Sequence, residues 1–396
     1  MSILSIAKQA KDASLKLQGL PEEMRLTALD AISKALLTHQ DQILKANKID
    51  LEEAQKNNLS KSLIDRLTIT EQSILSLSVM CTDVANQKQV VGVISEEHLR
   101  ADGLLIQKQR IPLGVIGMIF ESRPNVVVDG AALAIKSGNA IILKGGKEAQ
   151  HTNRVLFEVI KNATSSVLPD GSLSLIETRE DVAELLKLNT YIDLMVPRGG
   201  SSLIQYVKAN ATMPVVAHDK GLCHLYVHSD CNVDAVQIIL NAKTQRPGVC
   251  NALETLILHK DYPKNNEILA ALQKSGVEIK NPASDEDFQT EWLDLKLSLK
   301  IVESEKEAIK HIKRYSSHHT EAILAQDPKV IEEFMNSLDA SCIAINASTR
   351  FNDGGELGLG AELGISTSKL HAYGPMGAKE MTTTRFIVTG HGHIRK

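Results

Sequence analysis

The sequence predicts an α/β protein with two parallel-sheet domains and a β-hairpin arm, and three observations carry this prediction. From residue 111 onward, short runs rich in β-branched residues alternate with amphipathic segments, a pattern typical of parallel sheets covered by helices on both faces. The first 95 or so residues show only helical periodicity. A chain of 396 residues is too long for one simple core, so two or three domains are expected.

Helices are predicted in the N-terminal region because apolar residues recur there at helical spacing. One segment covers residues 3–17, a longer helix opens at Pro21 with Glu22 and Glu23 in its first turn, and a third segment covers 60–85. Proline suits the first position of a helix, and acidic residues are favourable near its N-terminus. We predict that this region is scaffold, since it carries no recognisable chemistry.

The pattern changes near residue 98. Residues 98–110 hold an Asp102-Gly103 turn followed by alternating apolar and polar residues, which indicates a hairpin or an extended arm. A two-stranded arm is marginal on its own, so we expect it to pair with another segment or with another subunit. The β-rich tail at 382–389 is a candidate partner for it.

Strands and helices then alternate through the rest of the chain. In the first α/β segment, strands are predicted at 113–120, 140–144, 172–177, 191–196 and 214–217, and helices at 126–136, 152–163, 182–188 and 201–209. In the second, after about residue 220, strands are predicted at 222–227, 253–259, 299–302, 321–325 and 343–345, and helices at 233–243, 265–274, 305–315 and 328–337. Ligands of such sheets bind beyond the carboxyl ends of the strands, so we expect a site in the turns that follow them.

Composition and charge narrow the classes of function. A net charge of -4 gives no reason to expect nucleic acid or a membrane surface as a partner, and 3% aromatic residues are too few for a base-stacking platform. The five cysteines form no CxxC pair, so reduced thiols in the cytoplasm are expected. The histidine pairs at 318–319 and 391–393 lack the partners of a metal site, and we predict no metal. The sequence shows no signal peptide and no membrane span.

Cys250 is the candidate for a reactive side chain. It lies between a predicted helix and a predicted strand, just after a turn that Pro247 and Gly248 impose. A cysteine at such a bend can face a cleft, and Arg246 nearby favours the thiolate, which is the nucleophilic form. The alternative is that Cys250 is a small buried hydrophobe, which is the usual fate of a free cysteine.

Two glycine-containing turns follow predicted strands of the first α/β segment. One is Lys144-Gly145-Gly146-Lys147, and the other is Gly199-Gly200-Ser201 after Arg198. Glycine before a helix N-terminus, with free N–H groups and a nearby arginine, suits a phosphate group. Such glycines can equally serve backbone geometry alone. Neither turn matches the dinucleotide fingerprint or a Walker A loop, yet two of them on one sheet favour a nucleotide site.

Long motifs in the chain resemble the aldehyde dehydrogenase superfamily, and more narrowly its glutamate-5-semialdehyde dehydrogenases, which are also called γ-glutamyl phosphate reductases. The resemblance spans roughly the whole chain and is carried by IPLGVIGMIFESRPNVVVDGAALAIKSGNAIILKGGKEA at 111–149, TQRPGVCNALETL at 244–256 and GGELGLGAELGISTSKLHAYGPMGAKEMTT at 354–383. It implies an aldehyde dehydrogenase-like fold. It also implies NADPH-dependent reduction of γ-glutamyl phosphate to glutamate 5-semialdehyde and phosphate in L-proline biosynthesis.

The resemblance implies roles for particular residues of the reaction centre. The family's nucleophile, which forms a thioester with the substrate, falls on Cys250. Glu121 stands where the superfamily has an oxyanion-binding Asn, so nearby Asn125 is the candidate donor. His218 stands where hydrolytic members carry a Glu that activates water. A reductase of an acyl phosphate does not need that Glu, and an ordinary hydrolytic aldehyde dehydrogenase remains the alternative.

The resemblance also implies a cofactor site. Lys144 matches a Lys that binds the adenosine ribose, and Lys147 stands where members that prefer NAD often have Glu. Because Lys147 would attract a 2′-phosphate, we predict NADPH/NADP as the cofactor. Gly199, Gly200 and Ser201 are expected near the pyrophosphate, and Glu291 is expected at the nicotinamide ribose.

Substrate, partners and domains complete these expectations. Arg123 and Arg246 are candidates to bind the phosphate and carboxylate of γ-glutamyl phosphate. We expect a homo-oligomer, with glutamate 5-kinase as a further partner that would supply the acyl phosphate. The expected domains are an NADPH-binding domain at 1–97 and 112–219, a catalytic domain at 220–380, and an oligomerisation arm at 98–111 and 381–396.

Overall fold

The computed structural model of the protein describes residues 1–217 and 220–395. Backbone contacts divide the chain into two compact units. The first unit contains Met1–Val216, Gly358–Gly364 and Met376–Lys396, and the second contains Ala217–Leu357 and Ile365–Pro375. Across the described residues, no helix combines the length and the apolar character needed to cross a bilayer.

Helices and strands of the described residues alternate after an all-helical N-terminal region. The helices are α1 Ile3–Gln18, α2 Glu22–Thr38, α3 Gln40–Lys56, α4 Lys61–Leu67, α5 Glu71–Asn86, α6 Val126–Ser137, α7 Gln150–Thr164, α8 Arg179–Leu185, α9 Ser201–Asn210, α10 Ala235–Thr244, α11 Asn265–Lys274, α12 Asp285–Phe288, α13 Glu305–Tyr315 and α14 Pro328–Ser337. The strands are β1 Ile94–Leu99, β2 Leu105–Pro112, β3 Val115–Phe120, β4 Ala140–Lys144, β5 Leu173–Ile176, β6 Leu194–Arg198, β7 Cys223–Val227, β8 Leu253–His259, β9 Glu278–Lys280, β10 Lys296–Val302, β11 Thr320–Leu324, β12 Cys342–Ile345, β13 Ile365–Ser366, β14 Gly374–Pro375 and β15 Thr382–Thr389.

Capping residues begin the N-terminal helices. Ser2 accepts the N–H of Ser5 at the start of α1, and Thr70 and Ser73 form a reciprocal capping box at the start of α5. The prediction of one helical segment at 60–85 is therefore wrong. The chain forms α4 and α5 separately, because Thr70 adopts an extended backbone and begins a new helix.

The sheet of the first unit is parallel, with strand order β5-β4-β3-β6. Helix α6 packs against it and is buried along almost its whole length. Gly130 makes this close approach feasible, because a Cβ there would lie 3.2 Å from the side chain of Leu143. The parallel register brings the carboxyl ends of β3, β4 and β6 to one edge of the sheet, where Lys144 and Arg198 lie.

The sheet of the second unit is also parallel, with strand order β12-β11-β7-β8-β10-β9. Strand β8 lies inside it and every residue of β8 is buried, as expected for a strand that is covered on both faces. Apolar side chains of β7, β8, β10, α10 and α11 form one core cluster. The predicted fold class of two parallel-sheet α/β domains is confirmed by these two sheets.

The hairpin arm forms a small antiparallel sheet in the order β1-β2-β15. Strand β15 pairs with β2 along its full length, from Thr382 opposite Pro112 to Thr389 opposite Leu105. The prediction that the tail pairs with the arm is therefore confirmed. Strand β15 is an edge of this sheet, and Phe386 and Val388 on it are exposed.

Several predicted elements differ from the structure. The strand predicted at 214–217 forms only a single bridge between Val215 and Met195, because Pro214 has no N–H and the first unit ends at Val216. The helix predicted at 182–188 begins earlier, at Arg179, because Thr178 caps it. Strand β9 and helix α12 were not predicted, since each is only three or four residues long.

Candidate active site

Cys250 lies in the turn between α10 and β8 and is half-buried. The turn precedes β8, so Cys250 lies at the amino end of a parallel strand. Lys144 and Arg198 of the first unit lie at the carboxyl ends of their strands, where a site was expected, whereas Cys250 does not. Cys250 is thus partly accessible to solvent, unlike Cys81, which is fully buried in α5.

The backbone of Cys250 packs directly against Gly221. A Cβ built on Gly221 would lie 2.6 Å from the carbonyl carbon of Cys250 and 2.7 Å from its Cα, and closer still to its carbonyl oxygen. That oxygen accepts a hydrogen bond from the thiol of Cys223 at 3.2 Å. Burial raises the pKa of Cys223 well above its ordinary value, so Cys223 stays protonated and can donate.

The residue after the nucleophile candidate anchors the other side of the turn. The side-chain amide of Asn251 donates to the carbonyls of Arg350 at 3.3 Å and Asn352 at 3.0 Å, and the carbonyl of Asn251 accepts the hydroxyl of Thr349 at 2.7 Å. The turn is thus held between the segment at 221–223 and the segment at 349–352. Such backbone-directed hydrogen bonds give a reactive side chain a defined direction.

Arg350 interacts electrostatically with Cys250 and with Arg246, which precedes Cys250 in the same turn. Burial lowers the pKa of Arg350, and the positive charge of Arg246 lowers it further. Interactions with Asp353 and Cys250 raise the pKa of Arg350 and so oppose the effect of burial. These effects place Arg350 within electrostatic reach of Arg246 and Cys250 alike. The guanidinium of Arg350 also donates to Gln245 at 2.9 Å. Such positive charge is the environment that stabilises a thiolate.

A buried ion pair joins the two segments that flank the Cys250 turn. Lys243 at the end of α10 lies 3.3 Å from Glu254 in β8, and both side chains are almost completely inaccessible to solvent. Burial raises the pKa of Glu254 to about 8, against the attraction of Lys243, and it lowers the pKa of Lys243. The second carboxylate oxygen of Glu254 accepts the N–H of Trp292 at 3.0 Å.

In the first unit, Lys147 borders a shallow cleft on the edge of the sheet. The cleft is lined by Gly145, Gly146, Lys147, Gln150, Asn153, Leu175, Ile176 and Glu177. A side chain at either glycine would displace a neighbouring side chain, because a Cβ on Gly145 would lie 2.8 Å from the Cγ of Asn153 and one on Gly146 would lie 2.5 Å from the Cδ of Glu148. Lys144 lies at the end of β4, and burial lowers its pKa.

The second glycine turn holds a carboxylate. The N–H of Gly200, the residue before α9, donates to Glu121 at 2.8 Å, and a Cβ on Gly199 would lie 2.8 Å from the Cδ of Glu121. The start of α9 at Ser201 therefore attracts a negative group. The lysines of the first turn and the helix N-terminus of the second are suited to the anionic groups of a dinucleotide, and a phosphate at the second turn would take the place of the Glu121 carboxylate that the N–H of Gly200 now binds.

Asn125 and Arg123 lie in the loop between β3 and α6, where Asn125 donates its amide to Asp129 at 2.8 Å. Burial raises the pKa of Asp129 to about 7, and Glu362 raises it further, whereas Asn125, Arg198 and Arg123 oppose the shift. Arg198 and Glu362 form an ion pair of 3.0 Å. Charged side chains thus act on Asp129, the hydrogen-bond partner of Asn125.

Glu291 accepts the N–H of Gly221 at 2.9 Å, a contact that the sequence did not indicate. His218, the residue predicted at the position of the hydrolytic Glu, lies outside the described residues. Sequence reasoning also missed Gly221, Cys223 and Glu254. No local pattern marks them, because their importance lies in contacts with residues far along the chain. Within 1–217 and 220–395, no three His, Cys, Asp or Glu side chains are grouped as metal ligands.

Comparison with known proteins agrees with this geometry. The model of the aldehyde dehydrogenase family matches residues 2–290. The crystal structure of γ-glutamyl phosphate reductase from Thermotoga maritima superimposes with a TM-score of 0.95 at 40% identity, covering 100% of both chains. The fold and the cysteine turn thus define an aldehyde dehydrogenase-type protein.

Two curated relatives narrow the class. The chain is 45% identical to the γ-glutamyl phosphate reductase of Nautilia profundicola over 99% of both proteins. It is also 45% identical to that of Caldanaerobacter subterraneus, over 98% of this chain and 99% of the relative. The chain therefore belongs to the aldehyde dehydrogenase family and, within it, to the γ-glutamyl phosphate reductases. It is an oxidoreductase that acts on a small molecule with a nicotinamide cofactor.

Proposed function

We propose that the protein catalyses the NADPH-dependent reduction of γ-glutamyl phosphate to glutamate 5-semialdehyde and phosphate, a step of L-proline biosynthesis. The observation that carries the proposal is full-length similarity, at 45% identity, to proteins with this activity in their names. The fixed turn around Cys250 supports it, since covalent catalysis through a thioester requires a well-oriented nucleophile.

Cys250 is the nucleophile in this proposal. Its thiolate attacks the acyl carbon of γ-glutamyl phosphate, phosphate leaves with the electron pair of the broken C–O bond, and a thioester forms. The bound nicotinamide cofactor supplies the hydride. Cys250 then leaves as thiolate when the aldehyde is released. A thiolate suits both roles, because it is a soft nucleophile and a good leaving group.

Hydrogen-bond donors and cations would assist this chemistry. The oxyanion is assigned to the backbone N–H of Cys250 and to the amide of Asn125, which has a second N–H beyond the one given to Asp129. Arg246 and Arg350 are assigned to the negative groups of the substrate, since Arg350 interacts electrostatically with both Cys250 and Arg246. Arg123 is proposed as a further substrate ligand.

The cofactor would be held by the two glycine turns. Lys144 and Lys147 are assigned to the ribose and its 2′-phosphate, and Gly199, Gly200 and Ser201 to the pyrophosphate. Glu177 also lines the Lys147 cleft, but Arg154 binds its carboxylate with two hydrogen bonds of 2.9 and 2.8 Å, which offsets the negative charge. The cleft is therefore suited to a phosphate.

Reversal of the charge at Lys147 tests the preference for NADPH over NADH. In Lys147→Glu, a carboxylate would repel the 2′-phosphate, so the preference should shift from NADPH towards NADH by at least about tenfold in kcat/KM. Lys161→Glu, on the outside of α7, is a control for charge reversal. A Lys147→Glu variant that keeps the wild-type cofactor preference would remove the basis for NADPH.

The choice between phosphate and water as acyl acceptor is decided by the reverse reaction. The protein is supplied with glutamate 5-semialdehyde and NADP⁺, with and without inorganic phosphate, and formation of reduced nicotinamide is followed. We expect the reaction to require phosphate, because His218 stands where hydrolytic relatives carry Glu. Equal rates without phosphate would mean that water is the acceptor and that the protein is a hydrolytic aldehyde dehydrogenase.

The arm is proposed as the oligomerisation element at 98–111 and 381–396, with an NADPH-binding domain at 1–97 and 112–219 and a catalytic domain at 220–380. A second copy of the chain would cover the exposed apolar side chains of β15. Because acyl phosphates are labile, glutamate 5-kinase is proposed as the partner that delivers the substrate directly.

A further inference from the structure

Glu291 connects to the nucleophile through a single glycine. Its carboxylate accepts the N–H of Gly221 at 2.9 Å, and the backbone of Gly221 lies against the peptide of Cys250 with no room for a Cβ between them. A displacement of Gly221 towards Cys250 would therefore move Cys250 as well. Close backbone packing of this kind transmits small shifts, because nothing compressible lies between the two segments.

The residue that follows Glu291 is fixed by two hydrogen bonds. The next residue, Trp292, donates its backbone N–H to Glu254 at 3.0 Å and its indole N–H to Ser298 at 3.2 Å. Glu254 in turn pairs with Lys243, and residues 243 and 254 flank the turn that carries Cys250. The two ends of the nucleophile turn and the segment at 291–292 thus share one buried carboxylate.

We propose that Glu291 is a positioning residue for the reaction centre, which holds the Gly221 segment against Cys250 and so sets the direction of the Cys250 thiol and N–H. This assignment deepens the proposed function, since it takes Cys250 as the nucleophile. It differs from a role at the nicotinamide ribose, which the resemblance implied for Glu291. A ribose ligand acts only when cofactor is bound, whereas a positioning residue acts in its absence as well.

The first test measures structure in the absence of cofactor. Hydrogen–deuterium exchange is followed by mass spectrometry in the peptides that contain Gly221 and Cys250. Glu291→Ala should accelerate exchange in both by about 10- to 100-fold, the range expected when a hydrogen bond to a charged acceptor is lost. Glu291→Gln keeps an acceptor oxygen and should restore most of the protection. Unchanged exchange in Glu291→Ala would overturn the proposal.

The second test separates positioning from cofactor binding. The rate of Cys250 alkylation by iodoacetamide, resolved by peptide mass, and the Kd of NADPH are measured for the same variants. We expect Glu291→Ala to slow alkylation at high pH at least about fivefold with a Kd within about twofold of wild type. A Kd raised tenfold with normal alkylation would make Glu291 a ribose ligand and would overturn the proposal.

A matched control accounts for the general loss of a carboxylate. Glu307 in the same unit also accepts a backbone N–H, that of Glu303 at 3.0 Å, and Glu307→Ala should leave the Cys250 peptide as it is in wild type. The exchange measurement also separates the role of Glu291 from the proposed function of the protein. A wild-type Cys250 that no reagent labels would contradict the proposed function, while exchange at Gly221 would still decide the role of Glu291.

Discussion

Replacement of Gly221 by alanine tests the contact on which the nucleophile turn depends. The added Cβ would lie 2.6 Å from the carbonyl carbon of Cys250, whereas ordinary van der Waals contact begins at 3.4 Å. The two backbones must therefore separate by on the order of 1 Å, and a misplacement of that size can reduce a rate about 100-fold. Gly221 has no left-handed φ, so the effect would arise from this overlap and not from backbone strain.

The assay compares the reaction centre with the rest of the fold. We expect kcat/KM of the phosphate-dependent reverse reaction to fall about 100-fold in Gly221→Ala, which corresponds to about 2.7 kcal/mol. Overpacking should reduce the free energy of unfolding by only about 1–3 kcal/mol, which leaves the protein folded for the measurement. Gly19→Ala is the matched control, because its Cβ would meet no atom closer than 3.8 Å.

The outcome that would refute this reasoning is a folded Gly221→Ala variant with kcat/KM and Cys250 alkylation within about threefold of wild type. The turn would then tolerate a separation of the two backbones, and the packing of Gly221 would not determine how Cys250 is oriented. A loss of activity that was shared by Gly19→Ala would also contradict it, since that site has space for the methyl group.

Three further predictions concern stability and assembly. Lys243→Met leaves Glu254 buried without its cation, so we expect the free energy of unfolding in urea to fall by about 3–5 kcal/mol. The loss should be smaller at pH 6 than at pH 9, because burial raises the pKa of Glu254 to about 8 and the carboxyl can bind a proton at the lower pH. Asp129 binds its proton more tightly in the folded state, with a pKa of about 7 against an ordinary 3.8. The free energy of unfolding should therefore fall as pH rises from about 4 to 7, by at most about 1.4 kcal/mol per pH unit. Asp129→Asn should remove that dependence in denaturant titrations. Phe386→Glu, on the exposed edge strand, should convert an oligomer into monomers in light scattering.

Each of these predictions has a control or a contradicting result. The pair of Lys34 and Asp30 is exposed at both ends, so Lys34→Met should cost less than about 1 kcal/mol; an equal loss in both lysine variants would mean that burial of the Lys243 pair adds nothing. If Asp129→Asn and wild type show parallel stability curves between pH 4 and 7, the carboxyl does not titrate there. A wild-type protein that is already monomeric would contradict the assignment of the arm.

Local patterns in the sequence determine a large part of this fold. Helices α11, α13 and α14 begin and end where apolar spacing predicts them, and β4 and β8 match their predicted ranges. The turn that presents Cys250 is also local, since Pro247 and Gly248 impose it. Periodicity succeeds in these cases because it records which residues of a segment are buried.

The contacts that orient the site are decided by the tertiary structure. Gly221 and Glu291 are seventy residues apart in sequence, and Glu121 reaches Gly200 across 79 residues. Spacing within a segment shows that one face is buried, but it carries no information about which distant residue will meet that face. Strand order supplies that information, because the pairing of β7 with β8 is what brings Gly221 and Cys223 beside Cys250.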